Sequence, residues 1–210
     1  MKFELTEEVK VFCGIKLHRI KALISFGNVQ AGEIGGWVEN ENNLSQEGNA
    51  WVYGNAWVYG NARVCGNAWV YGNARVYGNA EVCGDAWVYG NAEVCGNARV
   101  CGNAWVYGNA RVYGDADVYG NARVYGNADV YGNAEVYKLT HILQIGFIGS
   151  RNDTTTFFRT KNKEIFVKCG CFKGYISEFE IAVKNTHEDN KHAKAYQLAI
   201  ELAKLQIDLD

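Results

Sequence analysis

A six-residue unit, A-x-V-(Y/C)-G-(N/D), repeats without an insertion from Ala50 to Tyr137 and constrains this chain more than any other feature. The variable side chains inside the unit recur every eighteen residues, which is the length of three units. If three units close one coil, like residues stack in neighbouring coils, so the pattern predicts a solenoid. Two ladders show the period, namely Trp51, Trp69, Trp87 and Trp105, and Cys65, Cys83 and Cys101.

Each unit predicts a short strand followed by a corner. In the unit Trp69-Val70-Tyr71 the alternation sends the valine inward and its two neighbours outward. Glycine and asparagine tolerate the positive backbone angles of a corner, and alanine fills a cramped position there. We therefore expect the repeat valines from Val52 to Val136 and the repeat alanines from Ala50 to Ala134 to form the interior.

The phase V-Y-G-N-A-x, with an aliphatic residue first and a small residue fifth, resembles the hexapeptide repeat of left-handed parallel β-helices. The resemblance implies a triangular prism with three flat faces. We accordingly expect a mainly β protein, with a left-handed parallel β-helix of about five regular coils over residues 50–137. Residues 1–49 are expected to form an N-terminal cap with degenerate coils, and residues 138–210 a small C-terminal α+β domain.

The three outer faces of the predicted prism differ in chemistry. Two carry ladders of mostly alternating charge, which we interpret as a solvated surface that sets the register. The third, here called the aromatic face, presents more contiguous apolar area than a monomer usually exposes. Its rings either stack on one another or form an oligomer interface or partner surface, and the trimeric packing common in this fold favours a homotrimer. The aromatic face consists of Trp51, Trp69, Trp87, Trp105, Tyr53, Tyr71, Tyr89 and Tyr107.

The flanking segments predict conventional strands and helices. The sequence predicts one strand near the N-terminus, in the segment LHRIKALISF. It predicts three more strands after the repeat, in the segments HILQIGFIG, TTTFFRT and KEIFVKCGCF. A capping box that starts at Ser177 opens a helix to about Thr186. Asn190 opens a second helix, whose apolar face is Ala193, Tyr196, Ile200 and Ala203.

A polar loop between two of these predicted strands carries the densest chemistry of the chain. It combines hydroxyl groups, one guanidinium and flexible backbone, which together could hydrogen-bond an anion. An ordinary polar turn would have a similar composition. The candidate ligand-binding residues are Ser150, Arg151, Asn152, Thr154, Thr155 and Thr156.

Neither a metal nor a cofactor is expected. The seven cysteines lack the spacing of a disulfide framework, which favours reduced thiols that pack as small hydrophobic side chains. Cys169 and Cys171, taken with His187 and His192, also lack the usual spacing of a zinc finger.

Composition excludes several classes of partner. The formal net charge is −2, and no basic stripe of the kind that follows duplex nucleic acid is present. No apolar stretch reaches the roughly 18 residues of a membrane span, and the start MKFELTEEVK lacks the pattern of a signal peptide. We expect a cytoplasmic protein that binds neither duplex nucleic acid nor a membrane.

Catalysis is disfavoured by the distribution of histidines. Many hexapeptide-repeat proteins are acyltransferases in which a histidine on or near a coil is the general base, and some are carbonic anhydrases with zinc on coil histidines. This chain has no histidine between His18 and His141, so no catalytic residue is assigned. An acyltransferase that uses His141 or His187 stays an alternative.

The YGNA/YGDA coils, together with the IGSRNDTTTF and CGCF motifs, resemble proteins encoded in bacteriophages and prophages. Accessory proteins of that type often act by stoichiometric binding, which would place this one in the cytoplasm of a host cell. We therefore hypothesise a non-catalytic oligomer that sequesters a small anionic or nucleotide-derived signalling ligand, or that blocks a host defence component. The alternative from another class is a structural, self-assembling β-helix scaffold.

Overall fold

The computed structural model describes residues 1–210 as a β-solenoid between an N-terminal hairpin and a C-terminal sheet with two helices. One face of the solenoid contains six parallel strands and each of the other two contains five. The predicted fold class, a mainly β solenoid with a cap and an α+β domain, is confirmed. The solenoid strands are β3 (Ile34–Val38), β4 (Trp51–Val52), β5 (Trp57–Val58), β6 (Arg63–Val64), β7 (Trp69–Val70), β8 (Arg75–Val76), β9 (Glu81–Val82), β10 (Trp87–Val88), β11 (Glu93–Val94), β12 (Arg99–Val100), β13 (Trp105–Val106), β14 (Arg111–Val112), β15 (Asp117–Val118), β16 (Arg123–Val124), β17 (Asp129–Val130) and β18 (Glu135–Val136).

Strands eighteen residues apart pair in register, as the repeat predicts. Trp87 lies opposite Trp105, for example, and the Tyr89 N–H donates to the Val106 carbonyl oxygen at 3.0 Å. Strands β4 to β18 contain two residues each instead of the predicted three, because the third residue already leads into the corner. The corner glycines from Gly54 to Gly132 have φ between 59° and 74°, a region in which glycine carries no steric cost.

The interior of the solenoid consists of the residues that the repeat predicts. Every repeat valine from Val52 to Val136 and every repeat alanine from Ala50 to Ala134 is at most 1% exposed. They form one continuous hydrophobic cluster that extends to Phe3 at one end and Phe158 at the other.

An N-terminal hairpin covers the first coil. Its strands β1 (Phe3–Phe12) and β2 (Ile15–Ala22) are antiparallel and continue the sheet that begins with β3. Phe3 and Phe26 pack edge-on against Trp51, with ring centroids 6.3 and 5.4 Å away. The Lys2 ammonium donates to the Ala50 carbonyl oxygen at 2.9 Å. The sequence predicted only one strand in this segment.

The C-terminal domain is an antiparallel sheet with one face on the last coil and the other face on two helices. Its elements are β19 (Ile142–Ile148), β20 (Asp153–Arg159), β21 (Ile165–Cys169), β22 (Phe172–Tyr175), α1 (Ile176–His187) and α2 (Lys191–Gln206). The predicted strand KEIFVKCGCF is two strands joined by a tight turn. Asn190 caps the second helix as predicted. The first helix begins earlier, because the Glu178 carboxylate accepts from the Tyr175 N–H at 2.7 Å, so Ser177 lies inside α1.

Ion pairs and aromatic contacts fasten this domain to the last coils. Arg159, which is 3% exposed, pairs with Glu135 of β18, and the Lys161 ammonium lies 3.0 Å from the Asp117 carboxylate. Tyr131 packs edge-on against Phe158, with ring centroids 5.9 Å apart. Assembly through open coil ends would therefore have to break contacts at this end as well as at the hairpin. Neither helix has the length and apolar character needed to cross a membrane.

Candidate functional site

A cavity of about 360 Å³ lies in the C-terminal domain, where two hairpin turns meet the helices. Its apolar wall includes Phe172, Phe179 and Tyr196, and its polar rim includes Ser150 and Arg151. The remaining lining residues are Cys169, Cys171, Ala182, Val183, Thr186 and His187.

Two glycines bring the hairpin turns together at this cavity. Gly149, in the turn between β19 and β20, has φ of 75°, and a Cβ there would lie 1.8 Å from the Tyr196 hydroxyl oxygen. Gly170, in the turn between β21 and β22, has φ of 55°, and a Cβ there would lie 3.2 Å from Cδ of Arg151. The first turn can therefore press against α2 while the side chain of Arg151 crosses the second turn.

Arg151 places an accessible cation at the rim of the cavity. Its guanidinium donates to the Cys171 sulfur at 3.2 Å. That hydrogen bond, together with the negative charge that the thiol can carry, raises the pKa of Arg151. The arginines that pair with carboxylates are others, namely Arg19, Arg99, Arg111 and Arg159. The guanidinium of Arg151 is thus free to make charge-assisted hydrogen bonds to an anion.

A short chain of hydrogen bonds includes two residues that line the cavity, Cys169 and Tyr196. The Thr155 hydroxyl donates to the Cys169 sulfur at 3.2 Å, and the Cys169 thiol donates to the Tyr196 hydroxyl oxygen at 3.4 Å. Burial, followed by this contact with Cys169, raises the pKa of Tyr196. The phenol therefore stays neutral, and Tyr196 contributes an aromatic ring to the wall.

The structure separates the six loop residues proposed from the sequence. Ser150 and Arg151 line the cavity, and Asn152 is exposed beside them with φ of 52°. The three threonines belong to β20, in which Thr154 is half-buried and Thr155 and Thr156 are 0% and 1% exposed. Because side chains alternate along a strand, Thr155 points towards the helices and Thr156 towards the solenoid, so neither is available to a ligand.

In the coils that follow Trp51, the rings of the aromatic face stack on one another. Trp51 is 0% exposed beneath the hairpin and does not belong to an accessible surface. Trp87 lies parallel to Trp69 and Trp105, with ring centroids 5.9 and 5.2 Å away. The tyrosines make a parallel ladder beside them, since Tyr71, Tyr89 and Tyr107 stack at 4.8 and 4.9 Å. Rungs about 4.8 Å apart leave no room for a further ring, so this face offers ring edges and not stacking sites.

The solenoid contains a thiol cluster that differs from the expectation of reduced cysteines. Cys83 and Cys101 form a disulfide across neighbouring coils, with Cα atoms 4.6 Å apart. The expectation is wrong for this pair because the eighteen-residue period itself brings the two residues within disulfide range. Glu81 lies beside the pair, and its carboxylate is within 4.8 Å of both sulfurs.

The histidines considered as catalytic or metal-binding groups lie in different environments. His141 is 0% exposed and packs edge-on against Tyr137, so it cannot reach a substrate. His187 borders the cavity, with its ring 5.8 Å from that of His192. The histidines and cysteines of this domain do not converge within the distances of a shared metal ion.

Part of the solenoid matches a known family of repeats. Four segments, at residues 57–72, 68–84, 92–108 and 104–119, match the YdcK beta solenoid repeat family. The chain is also similar to a protein of Escherichia coli (strain K12) named "Uncharacterized acetyltransferase YdcK", with 37% identity over 59 residues. That stretch covers 24% of this chain and 18% of the relative. The family segments end at residue 119, before the domain that holds the cavity.

Proposed function

We propose that this protein is a non-catalytic binding protein that holds a small anionic ligand of the nucleotide class in its C-terminal cavity, with the solenoid as a rigid stem. The main observation in support is that the Arg151 guanidinium is accessible at the cavity rim. It donates its hydrogen bond to the Cys171 sulfur and not to a carboxylate. A permanent cation beside an aromatic wall suits a ligand that combines a phosphate with a ring.

The lining residues suggest how such a ligand would sit. Its anionic group would accept hydrogen bonds from Arg151, from the Ser150 hydroxyl and from His187 at the rim. Its ring would contact Phe172 and Phe179, which form the apolar wall. A volume of about 360 Å³ is within the usual range for a small-molecule site, at its lower end.

Two experiments test this function. Native mass spectrometry of protein purified from bacterial cells, before and after denaturation, reports any retained small molecule. Calorimetric titration with nucleoside monophosphates then compares the wild type with Arg151→Gln, for which we expect at least about a tenfold loss of affinity, the worth of one charge-assisted contact. Arg63→Gln is the matched control, because Arg63 is an exposed solenoid arginine outside the cavity. Equal affinity of both variants, or no binding at all, would refute the proposal.

The same mass measurement reports subunit number. We propose a homo-oligomer, with a trimer as the first expectation, that uses the ring edges of the aromatic face. A closed oligomer without added mass would favour a protein target, such as a host defence component. Indefinite filaments would favour the scaffold, and a monomer would mean that the stacked rings need no partner.

Acetyl transfer is the second candidate, favoured by the name of the Escherichia coli relative and by the position of His187 at the cavity. Since the shared stretch is confined to 18% of that relative, the activity itself requires a direct assay. Turnover of acetyl-CoA that is lost in His187→Gln and retained in His192→Gln would establish it. Absence of turnover with a broad set of amine acceptors would remove it.

A further inference from the structure

Three cysteines occupy the same position in consecutive coils of one solenoid face, here called the thiol face (β6, β9, β12, β15 and β18). Their strands pair in register, since Val64 lies opposite Val82 and Val82 opposite Val100. The N–H of Cys65 donates to the Val82 carbonyl oxygen at 3.0 Å, and the N–H of Cys83 donates to the Val100 carbonyl oxygen at 2.9 Å. Cys83 and Cys101 are joined, whereas Cys65 on the next rung is free and half-buried.

We propose that Cys65, Cys83 and Cys101 form a disulfide relay, in which Cys83 exchanges its partner between Cys101 and Cys65 and each exchange moves the free thiol from one end of the ladder to the other. The arrival of the free thiol at Cys101 creates a covalent modification site for small electrophiles and low-molecular-weight disulfides. This relay is independent of the cavity in the C-terminal domain.

The ladder geometry restricts the relay to two isomers. Neighbouring rungs are about 4.8 Å apart, which is within the range that a disulfide spans. Cys65 and Cys101 are two rungs apart, or about 9.6 Å, and cannot be joined without backbone movement. Cys83 is therefore a member of either disulfide. The three residues occupy successive rungs of the same face, with Cys83 between the other two.

The exchange step is balanced without an external oxidant. The Cys65 thiolate attacks Sγ of Cys83, a new bond forms between Cys65 and Cys83, and the bond between Cys83 and Cys101 breaks. The electron pair of the broken bond leaves with Cys101 as a thiolate, which takes up the proton that Cys65 released to solvent. The total number of thiols and disulfides is unchanged.

Burial and the charged neighbours of Cys65 influence the rate of this step. Burial, and then the Glu81 carboxylate, raise the pKa of the Cys65 thiol, while Arg63 acts in the opposite direction. Glu81 also pairs with Arg99, with the Arg99 Nε atom 3.4 Å from the carboxylate. Exchange from the Cys65 side should consequently be slow at neutral pH and faster when Glu81 is neutralised.

The Cys101 end of the row of three cysteines faces a cavity. Cys101 borders a cavity of about 450 Å³ together with Arg99, Asp117, Tyr119 and Glu135. A Cys101 thiolate released there would share the cavity with the Arg99 guanidinium, which attracts it, and with the Asp117 and Glu135 carboxylates, which repel it, as does the neighbouring Glu81 carboxylate. The Cys101 thiolate would attack one sulfur of a small disulfide that entered this space, so that one half of the molecule stays on Cys101 as a mixed disulfide and the other half leaves as a thiolate.

The first test is the pattern of disulfides in single variants. Each is made in a Cys95→Ser background, reduced, and reoxidised with oxidised glutathione, which accepts the two electrons. We expect Cys101→Ser to form the disulfide between Cys65 and Cys83, and Cys65→Ser to form the one between Cys83 and Cys101. Cys83→Ser should form no bond between the two remaining ladder cysteines, and its Cys101 should carry glutathione as a mixed disulfide. If Cys101→Ser leaves Cys65 and Cys83 unpaired while Cys65→Ser becomes fully oxidised, the relay is refuted.

The protease must be chosen with the repeat in mind. Trypsin releases residues 64–75 and 100–111 with the same sequence, VCGNAWVYGNAR, so it cannot distinguish Cys65 from Cys101. Cleavage after glutamate separates the three cysteines into peptides 48–81, 82–93 and 94–135. With Cys95 replaced, the last peptide contains Cys101 as its single cysteine.

The second test follows exchange in the folded protein. Oxidised Cys95→Ser protein with the Cys83–Cys101 bond is incubated at pH 7 and pH 8 and quenched with N-ethylmaleimide at intervals. We expect the label to shift from peptide 48–81 to peptide 94–135, about tenfold faster at pH 8 because thiolate fraction sets the rate. Glu81→Gln, read from peptide 94–135 alone, should accelerate the shift. A label that stays on Cys65 throughout, in protein with unchanged circular dichroism, would refute exchange.

Discussion

Alanine at Gly96 tests how closely the coils of the solenoid are stacked. Gly96 is a corner residue with φ of 72°, and a Cβ there would lie 2.9 Å from the Gly114 nitrogen and 3.1 Å from the Gly114 oxygen. Gly132 occupies the same corner in the last coil, with φ of 64° and nothing within 4 Å of its would-be Cβ. The two positions share their backbone conformation and differ in whether another coil lies beyond them.

The difference in unfolding free energy can be worked from these contacts. Both variants place an L side chain in the left-handed region, which costs about 1–2 kcal/mol. Only Gly96→Ala also forces main-chain atoms of the next coil to move, and overpacking of this kind costs about 1–3 kcal/mol more. We therefore expect a loss of about 2–5 kcal/mol for Gly96→Ala and about 1–2 kcal/mol for Gly132→Ala.

Urea denaturation followed by circular dichroism measures both losses, with comparable m-values required for the comparison. Native-state hydrogen exchange at the Asn97 amide, which donates to the Gly114 oxygen at 2.8 Å, locates the damage in Gly96→Ala. Losses that agree within about 0.5 kcal/mol would mean that the coils relax without cost and would refute the close-stacking argument.

Two further predictions concern the junction with the C-terminal domain. Glu135→Gln leaves the buried Arg159 without its carboxylate partner and should destabilise the protein by about 3 kcal/mol in urea denaturation. The control Glu93→Gln breaks a more exposed ion pair and should cost at most about 1 kcal/mol. Equal losses in the two variants would contradict the argument that burial makes the first pair stronger. Burial, and then the charge of Arg159, lower the pKa of His141, so the unfolded chain takes up the proton first and stability is lost as the pH falls below about 6.5. His141→Gln should flatten this acid slope in urea midpoints measured from pH 7 to pH 5, His192→Gln should retain it, and the same slope in both would refute the assignment.

The repeat by itself determined the solenoid, its register and its interior. An eighteen-residue period leaves one way to stack like residues, and alternation within a unit decides which side chain points inward. The burial of the repeat valines and alanines follows from these local rules alone. The second helix was equally predictable, because its Asn190 cap and apolar spacing are local signals.

The sequence located only part of the candidate site. Ser150 and Arg151 were recognisable as a polar loop, but the wall formed by Phe172, Phe179 and Tyr196 was not. These residues come from a strand and two helices, and their meeting depends on Gly149 lying against α2. Gly149 at the start of the loop was a clue in the sequence, but the sequence does not show that this glycine lies against Tyr196.

Tertiary structure also decided which predicted residues are accessible. Trp51 shares the repeat position of Trp87, yet the hairpin buries it, and Thr155 is buried because the strand starts two residues before it. The pairing of Cys83 with Cys101 and not with Cys65 is likewise a property of the folded chain. Periodicity determines which residues share a line or a face, because it acts between neighbouring coils. Exposure and pairing depend on contacts between distant segments, which only the folded chain brings together.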